Sequence, residues 1–313
     1  MDEMITLHIN KRKAYVNYML SQQQWSGLTK PETDQWLNNF NDLPPEKLLL
    51  VYKLLTNILY FSEKDIVEVL KEGVYNCLCY RIVLEKQKNT GFGLSQQRLT
   101  NIYRQELRRT CFTPLLDKDA PHESGNSISR LLVQQGIIAS NNSKFTYQLP
   151  EAFSEKQYSR LVIIDDCVGS GNQFRGFWQE SKIRVEREEL TLAELCSRYN
   201  IQVNYLTLFG YDLSIAKLKE DFKDIEIHCV RFLSDEHRVF SDKSYIWKNE
   251  KERDEAKELL SSLTEENGIA LYGYKKLDFA FIMHQTIPNW SLPLFWRETP
   301  DWKLLMRRKD SNG

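Results

Sequence analysis

The stretch that decides the fold is Leu161–Phe174, LVIIDDCVGSGNQF. Leu161, Val162, Ile163 and Ile164 form an unbroken aliphatic run, which suits a central parallel strand covered on both faces rather than a half-solvated one. The strand is expected to end in Asp165 and Asp166. Two adjacent carboxylates at the carboxyl edge of a parallel sheet stand where open α/β folds place ligands, and they accept hydrogen bonds from vicinal sugar hydroxyls. Gly169, Ser170 and Gly171 follow directly. Glycines let the backbone turn tightly and bring amide N–H groups toward an anion, while a hydroxyl adds a donor at the start of the next helix. Asn172 and Gln173 extend this cradle. A Walker A loop or a dinucleotide fingerprint would put its glycines first, whereas here the paired acids precede them. The plainer reading is a strand-to-helix turn with an aspartate cap.

The 313 residues allow one large domain or two of ordinary size. With 42 Lys plus Arg against 43 Asp plus Glu, no global positive field draws the chain to nucleic acid, and any such contact must be a local patch. The six cysteines lack the paired spacing of a zinc site and read as reduced thiols. No run is apolar enough to span a bilayer, and MDEMITLHIN is not a secretory leader, so a cytoplasmic protein without a membrane partner is expected.

Residues 1–95 read as a helical N-terminal region and 96–313 as an α/β domain, with the change placed in the polar run QKNTGFGLSQ. Trp25, Trp36, Leu37 and Phe40 belong either to a helical core or to a contact face for a partner. Arg98–Arg109 reads as an exposed, solvated helix. Cys111–Leu116, Val203–Phe209, Ile225–Phe232 and Leu277–Met283 read as strands, FTYQL (145–149) as a short edge strand, and SKIRVEREEL (181–190) as a solvated helix or excursion. Strands alternating with helices imply a doubly wound parallel sheet covered on both faces. His237, in FLSDEHRVF, is a candidate acid or base, or part of an ordinary capped turn. His284 opens the proline-punctuated HQTIPNWSLPLFW and is a second such candidate.

The 161–174 stretch resembles the phosphoribosyl-pyrophosphate loop of type I phosphoribosyltransferases. That resemblance implies that Asp165 and Asp166 hold ribose hydroxyls, directly or through Mg2+, and that Gly169, Ser170, Gly171, Asn172 and Gln173 hold a 5-phosphate. It also makes Ser124 and Gly125 candidates for a pyrophosphate loop, although ESGNS equally reads as a turn with a helix cap. Together with HQTIPNWSLPLFW, QWLNNF and ILYFSEKDI, the chain resembles the phosphoribosyltransferase-like family of bacterial conflict systems (PRTase-CE). The resemblance implies a type I phosphoribosyltransferase fold with an N-terminal helical domain. It further implies an anti-phage effector acting on phosphoribosyl pyrophosphate or a nucleotide, by phosphoribosyl transfer or glycosidic-bond cleavage. Its partners would be components of a defence cassette, such as a retron reverse transcriptase, its non-coding RNA and msDNA, and a DNA-binding protein. Gln173 and Gly169 depart from the small hydroxyl residues common at their positions. A non-catalytic nucleotide-sensing or partner-binding module is therefore the alternative, and a nucleic-acid scaffold built on the Arg-rich helix and the basic tail a third.

Overall fold

The computed structural model describes residues 2–116, 124–284 and 286–308. The first part of the chain runs α1 (Asp2–Ser21), α2 (Lys30–Asn38), α3 (Pro45–Thr56), β1 (Leu59–Phe61) and α4 (Glu63–Glu72), then a π-helical segment (Gly73–Cys79) and α5 (Tyr80–Asn89). The middle comprises α6 (Gln96–Arg108), β2 (Thr110–Pro114), α7 (Ser124–Gln134), α8 (Leu149–Ser154), β3 (Arg160–Val168) and α9 (Asn172–Glu180). It is followed by β4 (Lys182–Val185), β5 (Glu188–Thr191), α10 (Leu192–Arg198), β6 (Gln202–Tyr211), α11 (Asp212–Asp221), β7 (Glu226–Leu233), α12 (Glu250–Glu266) and β8 (Phe281–Met283).

Two compact units result, one of residues 1–66 with 233–313 and one of residues 67–232. The chain passes between them inside α4 and again at the end of β7. The units therefore do not follow a change near residue 95, since α6 starts well inside the second one. The reason is long-range pairing: β1 joins β8 in parallel, Leu59 opposite Phe281 and Phe61 opposite Met283, and so recruits the C-terminal segment to the N-terminal helices.

The first unit is built on aromatics. Thr29 caps α2 by accepting from the Glu32 amide, and Pro31 fits the first turn, where no intrahelical donor is required. Trp36 and Phe40 are then buried with Phe295 and Trp302. Both indole N–H groups, of Trp36 and Trp302, donate to the Leu294 carbonyl at 2.8 and 3.0 Å, which satisfies polar atoms that burial would otherwise penalise. Trp25, Trp36 and Phe40 thus belong to a core, with Leu37 packed against it. The buried carboxylate of Asp278 is likewise answered, by the Arg238 guanidinium and the Phe240 amide at 2.7 Å.

The second unit holds a four-stranded sheet in the order β2-β3-β6-β7, with β2, β3 and β6 parallel. On one face Leu161, Ile163, Val203 and Tyr205 pack with Phe153 of α8, Phe174 and Phe177 of α9, Leu195 of α10 and Leu218 of α11. On the other face the π-helical segment closes down at Gly73, where an added Cβ would lie 3.0 Å from Val230 and 3.1 Å from Leu206. Both faces are covered, which is why the strands read as continuous apolar runs. This is the α/β, doubly wound arrangement that the alternation implied.

Two local expectations are corrected. Residues 182–191 form an antiparallel hairpin, with Ile183 and Val185 buried between exposed Lys182 and Arg184. Its two-residue turn places Glu186 at φ 53°, in the left-handed region that such turns require. FTYQL is not a strand: Thr146–Gln148 is a turn of 3-10 helix leading into α8. The six cysteines are free thiols, four of them buried.

Candidate functional site

The apolar run sets the position of the acid pair by holding β3 in the sheet on both sides. The strand does not stop at the acids but continues to Val168, with Asp165 opposite Thr207 of β6. Both carboxyl groups are consequently buried, Asp165 to 3% exposure and Asp166 to 5%. Asp165 accepts from the Tyr205 hydroxyl at 2.7 Å and from the Asp166 amide at 3.0 Å, and Asp166 accepts from the Cys167 amide at 2.8 Å. Burial, and then the neighbouring Asp166 carboxylate, push the Asp165 carboxyl well above the usual carboxylate range, and the Tyr205 hydrogen bond opposes this only in part. Burial and Asp165 in turn push the Tyr205 phenol upward, so it stays a neutral donor. Tyr205 also stacks on Phe174 of α9, centroids 4.1 Å apart and planes 20° from parallel. This ring pair ties the acid site to the helix that follows the loop.

Gly169, Ser170 and Gly171 make the turn from β3 into α9. Gly171 stands at the cap with φ 77°, which L side chains adopt only at a cost, and an added Cβ would lie 3.1 Å from Leu218. Gly171 at the N-cap has no side chain to cap α9, so the positive end of the helix dipole faces the loop. The Ser170 hydroxyl accepts weakly from the Asn172 amide at 3.4 Å. Asn172 and Gln173 are exposed on the first turn. Acid pair, glycine turn and helix terminus are thus consecutive in the chain and adjacent in space, an arrangement that suits a polyhydroxylated phosphate ester.

Gly125 joins the same edge of the sheet. It is buried in α7 against the end of β2, where an added Cβ would lie 2.4 Å from the Leu115 carbonyl oxygen. The Leu115 amide donates to the Ile164 carbonyl at 2.9 Å, immediately before Asp165. Ser124 opens α7, and residues 117–123 of the preceding loop lie outside the described residues. His237 and His284 belong to the other unit. There the His237 ring accepts from the Ser234 amide at 3.0 Å, and His284 lies 3.0 Å from the Ser26 hydroxyl. Sequence reading missed Tyr205, although a hydroxyl-bearing ring inside the apolar run VNYLTLF was a signal, because a buried phenol needs a partner. Among the described residues no group of three or more His, Cys, Asp or Glu could hold a metal ion. No helix among them is long and apolar enough to cross a membrane.

Residues 33–308 match the model of the PRTase-CE family, and no curated protein matches the chain. The chain belongs to the PRTase-CE family, which relates it to phosphoribosyltransferases.

Proposed function

We propose that this member of the PRTase-CE family binds a ribose 5-phosphate compound at the carboxyl edge of β3 and acts at its anomeric carbon. The observation that carries this reading is the continuity of the acid pair with the N-terminus of α9 through the Gly171 turn. The 5-phosphate accepts from loop and first-turn amides and from Ser170, and the ribose hydroxyls reach the Asp166 carboxylate. Asp165, neutral and fixed by Tyr205, holds Asp166 in place. As the bond from the anomeric carbon to the leaving group breaks, positive charge grows on the sugar, and the Asp166 carboxylate stabilises it. The leaving group departs with the bonding electron pair as pyrophosphate or as a nucleobase, and water or an acceptor nucleophile, which gives up a proton, forms the new bond to the anomeric carbon.

Two carboxyl groups, one of them neutral, suit a hard divalent cation, and Asp166 would be the residue to hold a magnesium ion. Such an ion would neutralise charge on the leaving pyrophosphate. Family membership further supports a role as an anti-phage effector restrained by partners, such as a retron reverse transcriptase with its RNA and DNA.

Incubation with phosphoribosyl pyrophosphate and common nucleotides, followed by chromatography of the products, tests the activity. Turnover that disappears in the Asp165→Asn, Asp166→Asn double variant is expected, and full turnover in that variant would overturn the reading. A second reading, a sensor that binds without conversion, draws on the burial of Asp165 and on exposed Gln173 in the phosphate loop. It predicts saturable binding with no product.

A further inference from the structure

Helix α6 carries Arg98, Arg104 and Arg108, with Arg109 at its C-cap, and among the described residues none of these four forms an ion pair. Elsewhere in the second unit Arg160, Arg175, Arg198 and Arg231 each face a carboxylate, whereas Arg130, Arg184 and Arg187, like the arginines of α6, form no ion pair among the described residues. Arg104 and Arg108 stand one turn apart and both are exposed, so like charges are held together on one surface without neutralisation.

A second, independent feature adjoins them. The Asn142 side chain donates to the carbonyls of Leu107 at 2.9 Å and Thr110 at 2.8 Å, docking its segment on the C-terminal end of α6. Three residues further on, Phe145 and Tyr147 project into solvent, 41% and 73% exposed, with their rings nearly parallel at 8° and centroids 5.9 Å apart. The Phe145 amide donates to the Gln148 side chain at 2.9 Å, which fixes the turn that presents the rings. Exposed rings and unpaired like charges both cost free energy in the isolated protein, and a shared ligand would relieve both costs.

We infer that this surface binds single-stranded nucleic acid, with phosphates on the α6 arginines and unpaired bases on Phe145 and Tyr147. Charge alone would suit any polyanion, but flat, accessible rings beside the charges select a ligand with free base faces. Duplexes hide those faces and acidic peptides lack them. Exposed Glu151 on α8 and Glu155 at its C-cap confine the phosphate backbone to the α6 side.

Fluorescence anisotropy of the full chain with a labelled oligothymidylate of about a dozen nucleotides tests this. About three phosphate contacts predict a log–log salt slope of roughly −2, and Arg104→Ala with Arg108→Ala should make it shallower by about 1.4. Phe145→Ala with Tyr147→Ala should weaken binding about 10-fold with the slope unchanged. Circular dichroism verifies the fold of each variant, and Tyr147→Ser alone serves if the double change perturbs it. Absence of binding, equal binding of a matched duplex or of polyglutamate, or indifference to the aromatic substitutions would each overturn the inference.

Discussion

Replacing Asp165 with asparagine should make the protein relatively more stable as pH rises, contrary to the usual expectation for a buried polar residue in a functional site. The native carboxyl titrates well above its ordinary value of 3.8, because burial and Asp166 disfavour its charge. Below about pH 3.8 the group is protonated in both folded and unfolded chains, and its ionisation contributes nothing. Above it the unfolded chain releases the proton while the native protein retains it, so stability falls by about 1.4 kcal/mol per pH unit until the folded-state value is reached. Asparagine has the same shape without this penalty. Its amide cannot accept all that the carboxyl accepts from Tyr205 and the Asp166 amide, which costs about 1 kcal/mol at low pH. The two effects should cross within about one pH unit above 3.8, and the variant should gain steadily thereafter. Urea unfolding of both proteins, followed by circular dichroism at a series of pH values, measures the difference. A difference that does not change with pH, or a variant that loses ground as pH rises, would refute the argument that Asp165 is held neutral.

Other consequences are local. Gly171→Ala forces a side chain onto a φ of 77° and against Leu218, so a loss of about 1–2 kcal/mol is expected together with weaker binding of ribose 5-phosphate; unchanged unfolding midpoints would contradict it. Gly125→Ala places Cβ 2.4 Å from the Leu115 carbonyl and should cost about 1–3 kcal/mol, with faster amide exchange at the end of β2. Trp36→Ala empties the centre of the aromatic core and leaves the Leu294 carbonyl with one donor fewer, a loss of about 3–5 kcal/mol readable by chemical denaturation.

Much of the second unit was legible because its physics is local. An uninterrupted aliphatic run such as Leu161–Ile164 has few homes other than a strand covered on both faces, and the glycines after it mark the turn. The strand was expected to end in the acids, but backbone pairing with β6 carries it past them to Val168 and buries both. The β4–β5 hairpin was missed because its charged residues obscured a period of two that only four residues carry, Lys182 to Val185. The composition of the first unit was also misleading. Its halves lie more than 160 residues apart in sequence, and the union depends on β1 meeting β8 and on Trp36 meeting Leu294, contacts that no local pattern encodes. The apolar, proline-broken HQTIPNWSLPLFW did signal a segment in need of a partner, since so many large side chains cannot remain solvated. The Tyr205–Asp165 bond was invisible for the same reason of distance, forty residues separating its members.

The most direct test of the central claim is titration calorimetry of phosphoribosyl pyrophosphate, in the presence of magnesium, into the wild-type protein and Asp166→Asn. Saturable one-site binding to the wild type, lost in the variant, is the predicted result. Equal heats for the two proteins, or no binding of phosphoribosyl pyrophosphate by the wild type, would contradict a ribose-phosphate site at the end of β3.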